Sequence, residues 1–69
     1  MLYETITKIC KERGISIRAL ERASGLPNAT IRRWDRSPAN VWQVKAAADA
    51  LGVTVDSLLR EAEERERRT

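Results

Sequence analysis

Two short helical patterns joined by a turn of about four residues constrain this chain more than any other feature. The first opens at Ser16 and breaks at Ser24-Gly25-Leu26-Pro27, and the second covers about residues 28–35. Ser16 suits a helix start, because its hydroxyl can accept a backbone N–H that the first turn leaves unpaired. Gly25 tolerates the left-handed conformation that ends many helices. Pro27 is acceptable beside a helix start, where no backbone donor is needed. So short a link leaves the two helices steeply crossed.

Three further helices surround this pair. Leu2, Ile6, Ile9 and Cys10 share one face of a helix over about 2–13, with Gly14 as its stop. Leu20 and Ala23 are the inward residues expected of the second helix, and Ile31 and Trp34 those of the third. Asn40 caps a fourth helix over about 41–51, with Val44, Ala47, Ala48 and Leu51 as its apolar stripe and Gly52 as its stop. A fifth begins at Thr54 and turns Leu58 and Leu59 inward. No strand-length alternation of apolar and polar residues occurs, so the fold class is all-α.

Residues 1–59 form the expected domain, and 60–69 differ in kind. In REAEERERRT, Glu61–Arg65, Glu63–Arg67 and Glu64–Arg68 stand at (i, i+4) spacing with Glu first, the more favourable order. The segment reads as a solvated, charged extension of the fifth helix that frays toward Thr69.

At 69 residues the chain has room for one domain and one small core. Chains of this size bury only about 60% of the surface they expose when unfolded. A deep substrate cavity does not fit. Histidine is absent and Cys10 is the single cysteine, which excludes an internal disulfide and a Cys/His zinc site. With no Gly-rich phosphate loop and no clustered carboxylates either, an enzyme is not expected, nor a cofactor or small-molecule ligand. Nothing approaches the roughly 20 apolar residues of a membrane span, and the N-terminus has no signal-peptide pattern. A cytoplasmic protein is the default.

Charge is unevenly spread. Residues 8–45 carry nine Lys and Arg against three Asp and Glu, a net +6, whereas the four Arg and four Glu of 60–69 cancel. The excess lies around the crossed helix pair and favours a polyanionic partner. On the second helix of that pair, spacings of four bring Asn28, Ala29, Arg32, Arg33 and Arg36 to one side. Asn can pair with the edge of adenine, Arg with that of guanine, and an Ala methyl can meet that of thymine. These side chains therefore suit a duplex major groove, with Asn28, Ala29, Arg32 and Arg33 toward the bases. Asn28 has a second reading, as the cap of its own helix. Phosphate contacts are expected from Arg18, Thr30, Arg36, Ser37, Asn40, Trp42 and Lys45, helped by free N–H groups at the start of the fourth helix.

The order of these parts resembles the Cro/repressor-type helix-turn-helix family of phage and bacterial regulators, from about residue 3 to residue 59. The resemblance rests on Gly14-Ile15-Ser16, Leu20, Gly25-Leu26, Thr30-Ile31, Trp34 and the ending Ala48, Leu51-Gly52-Val53, Asp56, Leu58-Leu59. It implies a compact five-helix, lambda-repressor-like bundle with the helix-turn-helix at helices 2 and 3. It implies a sequence-specific double-stranded DNA-binding transcriptional regulator, a repressor, reading bases through Asn28, Ala29 and Arg33. It also implies a symmetric dimer on a palindromic or near-palindromic operator. With one domain, that homodimer must use the bundle itself, helix 5 foremost, or form on DNA.

Two positions depart from the family pattern. Glu21 stands where the family usually has a small Ala, and Ile17 where a phosphate-contacting Gln is common. Glu21 has two readings: it holds a guanidinium of Arg32 or Arg33, or it points to solvent beside Arg18 and Arg22. Ile17 shifts the helix-2 phosphate contact to Arg18. Two readings stand for the chain as well, a complete small regulator or a piece of a longer repressor. A different class of function is a protein-interaction module, such as an antitoxin or anti-repressor component that recruits through 60–69. RNA is a weaker third, because single-stranded RNA calls for an aromatic stacking surface and the chain has only Tyr3, Trp34 and Trp42.

Overall fold

Short side chains that can hold unpaired N–H groups decide where the helices begin. The computed structural model describes residues 2–68. Among them run α1 (Leu2–Arg13), α2 (Ile17–Ser24), α3 (Thr30–Arg33), α4 (Val41–Leu51) and α5 (Val55–Arg68). Ser16 Oγ accepts from the N–H of Ala19 at 2.9 Å, and Thr54 Oγ1 from that of Ser57 at 3.0 Å. Asn40 Oδ1 accepts from both Trp42 and Gln43, at 2.9 and 3.2 Å.

α2 and α4 end by the same device. Gly25 and Gly52 adopt φ of 71° and 72°, the left-handed region that costs an L side chain and not glycine. The next N–H then reaches back into the last turn, from Leu26 to Glu21 O at 2.8 Å and from Val53 to Ala48 O at 3.0 Å. Leu26 and Val53 turn back onto the core in doing so. The guanidinium of Arg13 donates to the carbonyl of Leu51, tying the end of α1 to that of α4.

α2 packs chiefly on α4 and α1 on α5, with smaller contacts of α4 with α5, and of α2 with α1 and α3. The core they enclose is mostly aliphatic: Ile6, Ile9 and Cys10 from α1, Leu20 from α2, and Ile31 with Trp34 from α3 and its end. The α4 stripe of Val44, Ala47, Ala48 and Leu51 faces them, and Leu58 enters from α5. Burial pushes the Cys10 thiol above its ordinary value, against a weaker opposing pull from Arg13. The thiol behaves as a small core group. Among the described residues no helix is long and apolar enough to cross a membrane.

Two inward assignments and one helix length change. Ala23 is exposed, because the buried side of α2 is the line Ile17, Leu20, Glu21, Ser24. Leu59 is 47% exposed, because the inward line of α5 runs through Val55, Leu58, Ala62 and Arg65. The third helix is shorter than the expected span 28–35. Its α-helical part is Thr30–Arg33, and from Trp34 to Arg36 the chain continues in tighter turns, each N–H bonding three residues back at 3.0–3.2 Å.

α5 runs unbroken past residue 60, so the charged segment continues the helix that packs on α1. Of the expected pairs, Glu63–Arg67 forms at 3.9 Å, and Asp56–Arg60 forms one turn earlier at 3.1 Å. Arg65 turns inward instead of pairing with Glu61, and its Nε is shielded from solvent without a hydrogen-bond partner. Arg68 as an ion-pair partner, and the fraying at Thr69, lie outside what the structure describes.

Candidate nucleic-acid interface

The site is built around a carboxylate. Glu21 is 1% exposed, and its oxygens accept from the backbone N–H groups of Ala29 at 3.3 Å and Ile31 at 3.1 Å. Arg18, one turn earlier on α2, lies 3.4 Å from the same carboxylate and supplies the opposite charge. A buried ion would be costly without such partners. The negative group also sits at the start of α3, where the helix dipole favours it. Neither expected role of Glu21 is what it does: it holds backbone, not Arg32 or Arg33, and it is not in solvent.

Ala29 begins α3 at φ 67° and has no side-chain cap of its own. Left-handed backbone costs an L residue about 1–2 kcal/mol and glycine almost nothing. Glycine loses part of that advantage through its freer unfolded chain. Ala29→Gly should therefore raise stability by up to about 1 kcal/mol, read as a higher urea midpoint at unchanged slope. An unchanged or lower midpoint would count against the left-handed turn.

The break at Ala29 and the tight turns after Arg33 replace the regular four-residue stripe of the sequence reading. The residues still gather, by another geometry. Arg18, Asn28, Ala29 and Arg32 line a depression shared with Tyr3 and Ile17. Ala29 and Arg32 also line the adjoining one with Arg33 and Arg36. Asn28, Arg32, Arg33 and Arg36 are exposed. Among the described residues none of these three arginines pairs with an acid, whereas Lys45 bonds Asp49 at 2.9 Å. Asn28 does not cap α3 with its side chain; Glu21 does the capping from α2.

The expected phosphate contacts fare unevenly. Thr30 is a correction: it is 4% exposed and its hydroxyl donates to Pro27 O at 2.7 Å, closing the turn. Ser37 is exposed and follows Arg36 into a third depression below Trp34. Asn40 is exposed, but its Oδ1 is engaged in capping α4. That cap also takes two of the N–H groups expected to be free there. Trp42 stands 75% exposed beside Val41, itself 62% exposed. Ile17 is half-buried against the core and offers this face no polar group, whereas Arg18 and Glu21 of α2 both line its depression.

Sequence reasoning missed the role of Glu21 and the part of Tyr3 and Ile17 in lining the face. The signal was present in the helical spacing. Positions 17, 20, 21 and 24 fall on one side of a helix, which places Glu21 with Leu20 rather than with Arg22. No family model, no curated protein and no solved structure matches this chain.

Proposed function

We propose that the protein is a sequence-specific double-stranded DNA-binding transcriptional regulator, a repressor, with α2 and α3 as the helix-turn-helix of a lambda-repressor-like bundle. The observation that carries this reading is the trio Arg32, Arg33 and Arg36, exposed and, among the described residues, free of acid partners, on the four-residue α3 and the turn that follows it, with exposed Asn28 just before the helix. Guanidinium groups left unpaired in a row suit an anionic surface, and Arg and Asn together suit the donor and acceptor pattern of base edges.

In this reading Asn28, Ala29, Arg32 and Arg33 face the bases and Arg36 and Ser37 face the backbone. Arg18 reaches a phosphate from the far side of the same depression, while still neutralising Glu21. Lys45 exchanges Asp49 for a phosphate at small cost, since both groups are more than half exposed and surface pairs are weak. Trp42 and the free amide nitrogen of Asn40 complete the flank. A second copy on an adjoining half-site supplies the two-fold symmetry of the operator.

Selection from a random duplex pool tests the reading. The enriched sites should hold two inverted half-sites with centres about one helical turn apart. Exposed Trp42 reports the titration by its fluorescence. Affinity should fall with rising salt by about 0.9 log units per phosphate contact for each log unit of salt. If no duplex binds even at low salt, DNA recognition is removed and a protein-interaction module takes its place.

A further inference from the structure

We propose that Glu21 is the positioning residue of the interface: its buried carboxylate sets the rotation of α3 and so decides which base edges Asn28 and Arg33 meet. The inference rests on the DNA-binding reading above. α3 has four residues, far fewer than the roughly 12 at which an isolated helix becomes even marginally stable. Its direction must come from what holds it. Ile31 and Trp34 press it on the core, but apolar contact is non-directional and leaves freedom to roll.

Glu21 removes that freedom. One planar carboxylate accepts from two N–H groups two residues apart, those of Ala29 and Ile31. Two bonds from a rigid group fix a rotation, where one bond fixes only a distance. The group itself cannot drift, because it is buried on α2 and faces Arg18. Asn28 immediately precedes this clamp and Arg33 follows it by two residues. A small roll at 29–31 therefore moves both side chains relative to the bases.

Glu21→Gln keeps the size and breaks the clamp. The amide offers one acceptor oxygen, and its NH2 would face an N–H or the Arg18 guanidinium. It also removes a negative charge next to the cationic face. Loss of folded protein would lower binding to every duplex alike. Loss of positioning lowers only the preference for the correct sequence, because attraction to phosphates survives or grows.

The full chain and Glu21→Gln are to be compared in two measurements. In the free protein, amide exchange at Ala29 and Ile31 should be slow in the wild type and at least about ten-fold faster in the variant, with the α4 amides unchanged. On DNA, the ratio of selected-site to random-duplex affinity should fall roughly 10- to 100-fold, the discrimination of one bidentate base contact. Random-duplex affinity should stay level or rise. An unchanged ratio, or equal losses on both duplexes, overturns the proposal. So do Ala29 and Ile31 amides that exchange freely in the wild type, a result that needs no variant to fold. Failure of the wild type to enrich any site removes the DNA-binding reading itself, whereas enrichment with an unchanged ratio removes only the role of Glu21.

Discussion

Leu58→Ala should cost about 2–5 kcal/mol, and Leu59→Ala, one residue later, less than about 1. The two substitutions delete the same atoms, so the difference is a matter of rotation about the α5 axis. Leu58 is 1% exposed and points at the common core, whereas Leu59 is 47% exposed. Truncating the first leaves a cavity that a small bundle can only partly close. Domains carry about 0.05–0.15 kcal/mol of stability per residue, roughly 3–10 kcal/mol for a chain of this length. The Leu58 variant should accordingly lose a large share of its stability and the Leu59 variant stay nearly normal. Urea unfolding followed by helical circular dichroism separates them. Equal losses would mean that α5 lies on α1 in another rotation.

Arg33→Ala should weaken binding to the selected site by about 1–3 kcal/mol and relax the choice at one base pair. Arg33 is exposed, unpaired and at the end of α3, so truncation leaves no buried group orphaned and the fold should persist. Lys45→Ala should instead weaken all duplexes similarly and reduce the salt slope by about one phosphate contact. The contrast follows from chemistry: a guanidinium can form two directed bonds to guanine, whereas an ammonium acts mainly as a point charge. Losses that are equal on selected and random DNA for both variants would dismiss the base-reading role of Arg33.

Glu21 shows where reading a sequence falls short. Charged residues are seldom fully buried, so a lone Glu between Leu20 and Arg22 invites a surface assignment. Its helical position points inward, but only the arrival of the Ala29–Ile31 backbone makes that position tolerable. Thr30 fails in the same manner. Its hydroxyl looks available in the sequence and is consumed by the Pro27 carbonyl in the turn. The partners of Glu21 lie eight and ten residues on, across the turn, whereas that of Thr30 lies three residues back, inside it.

The stops and caps were legible for a local reason. Ser16, Asn40 and Thr54 satisfy N–H groups two or three residues away, and Gly25 and Gly52 end helices through their own backbone freedom. Such choices need no distant partner. The all-helical class and most of the aliphatic core followed from the same short-range periodicity.

Rotation and length were not local. Whether Leu58 or Leu59 faces inward, and whether Ala23 does, depends on how neighbouring helices are set, since adjacent residues differ by only about 100° around an axis. The third helix shrank to four residues because Ala29 takes the left-handed conformation, and Glu21, eight positions earlier, bonds its N–H there. Spacing along the chain thus determined which residues could form helices and where these stop. The packing of α2 against α3 decided which polar groups are spent inside and which arginines remain outside, because a hydrogen bond between distant positions exists only once the chain has brought them together.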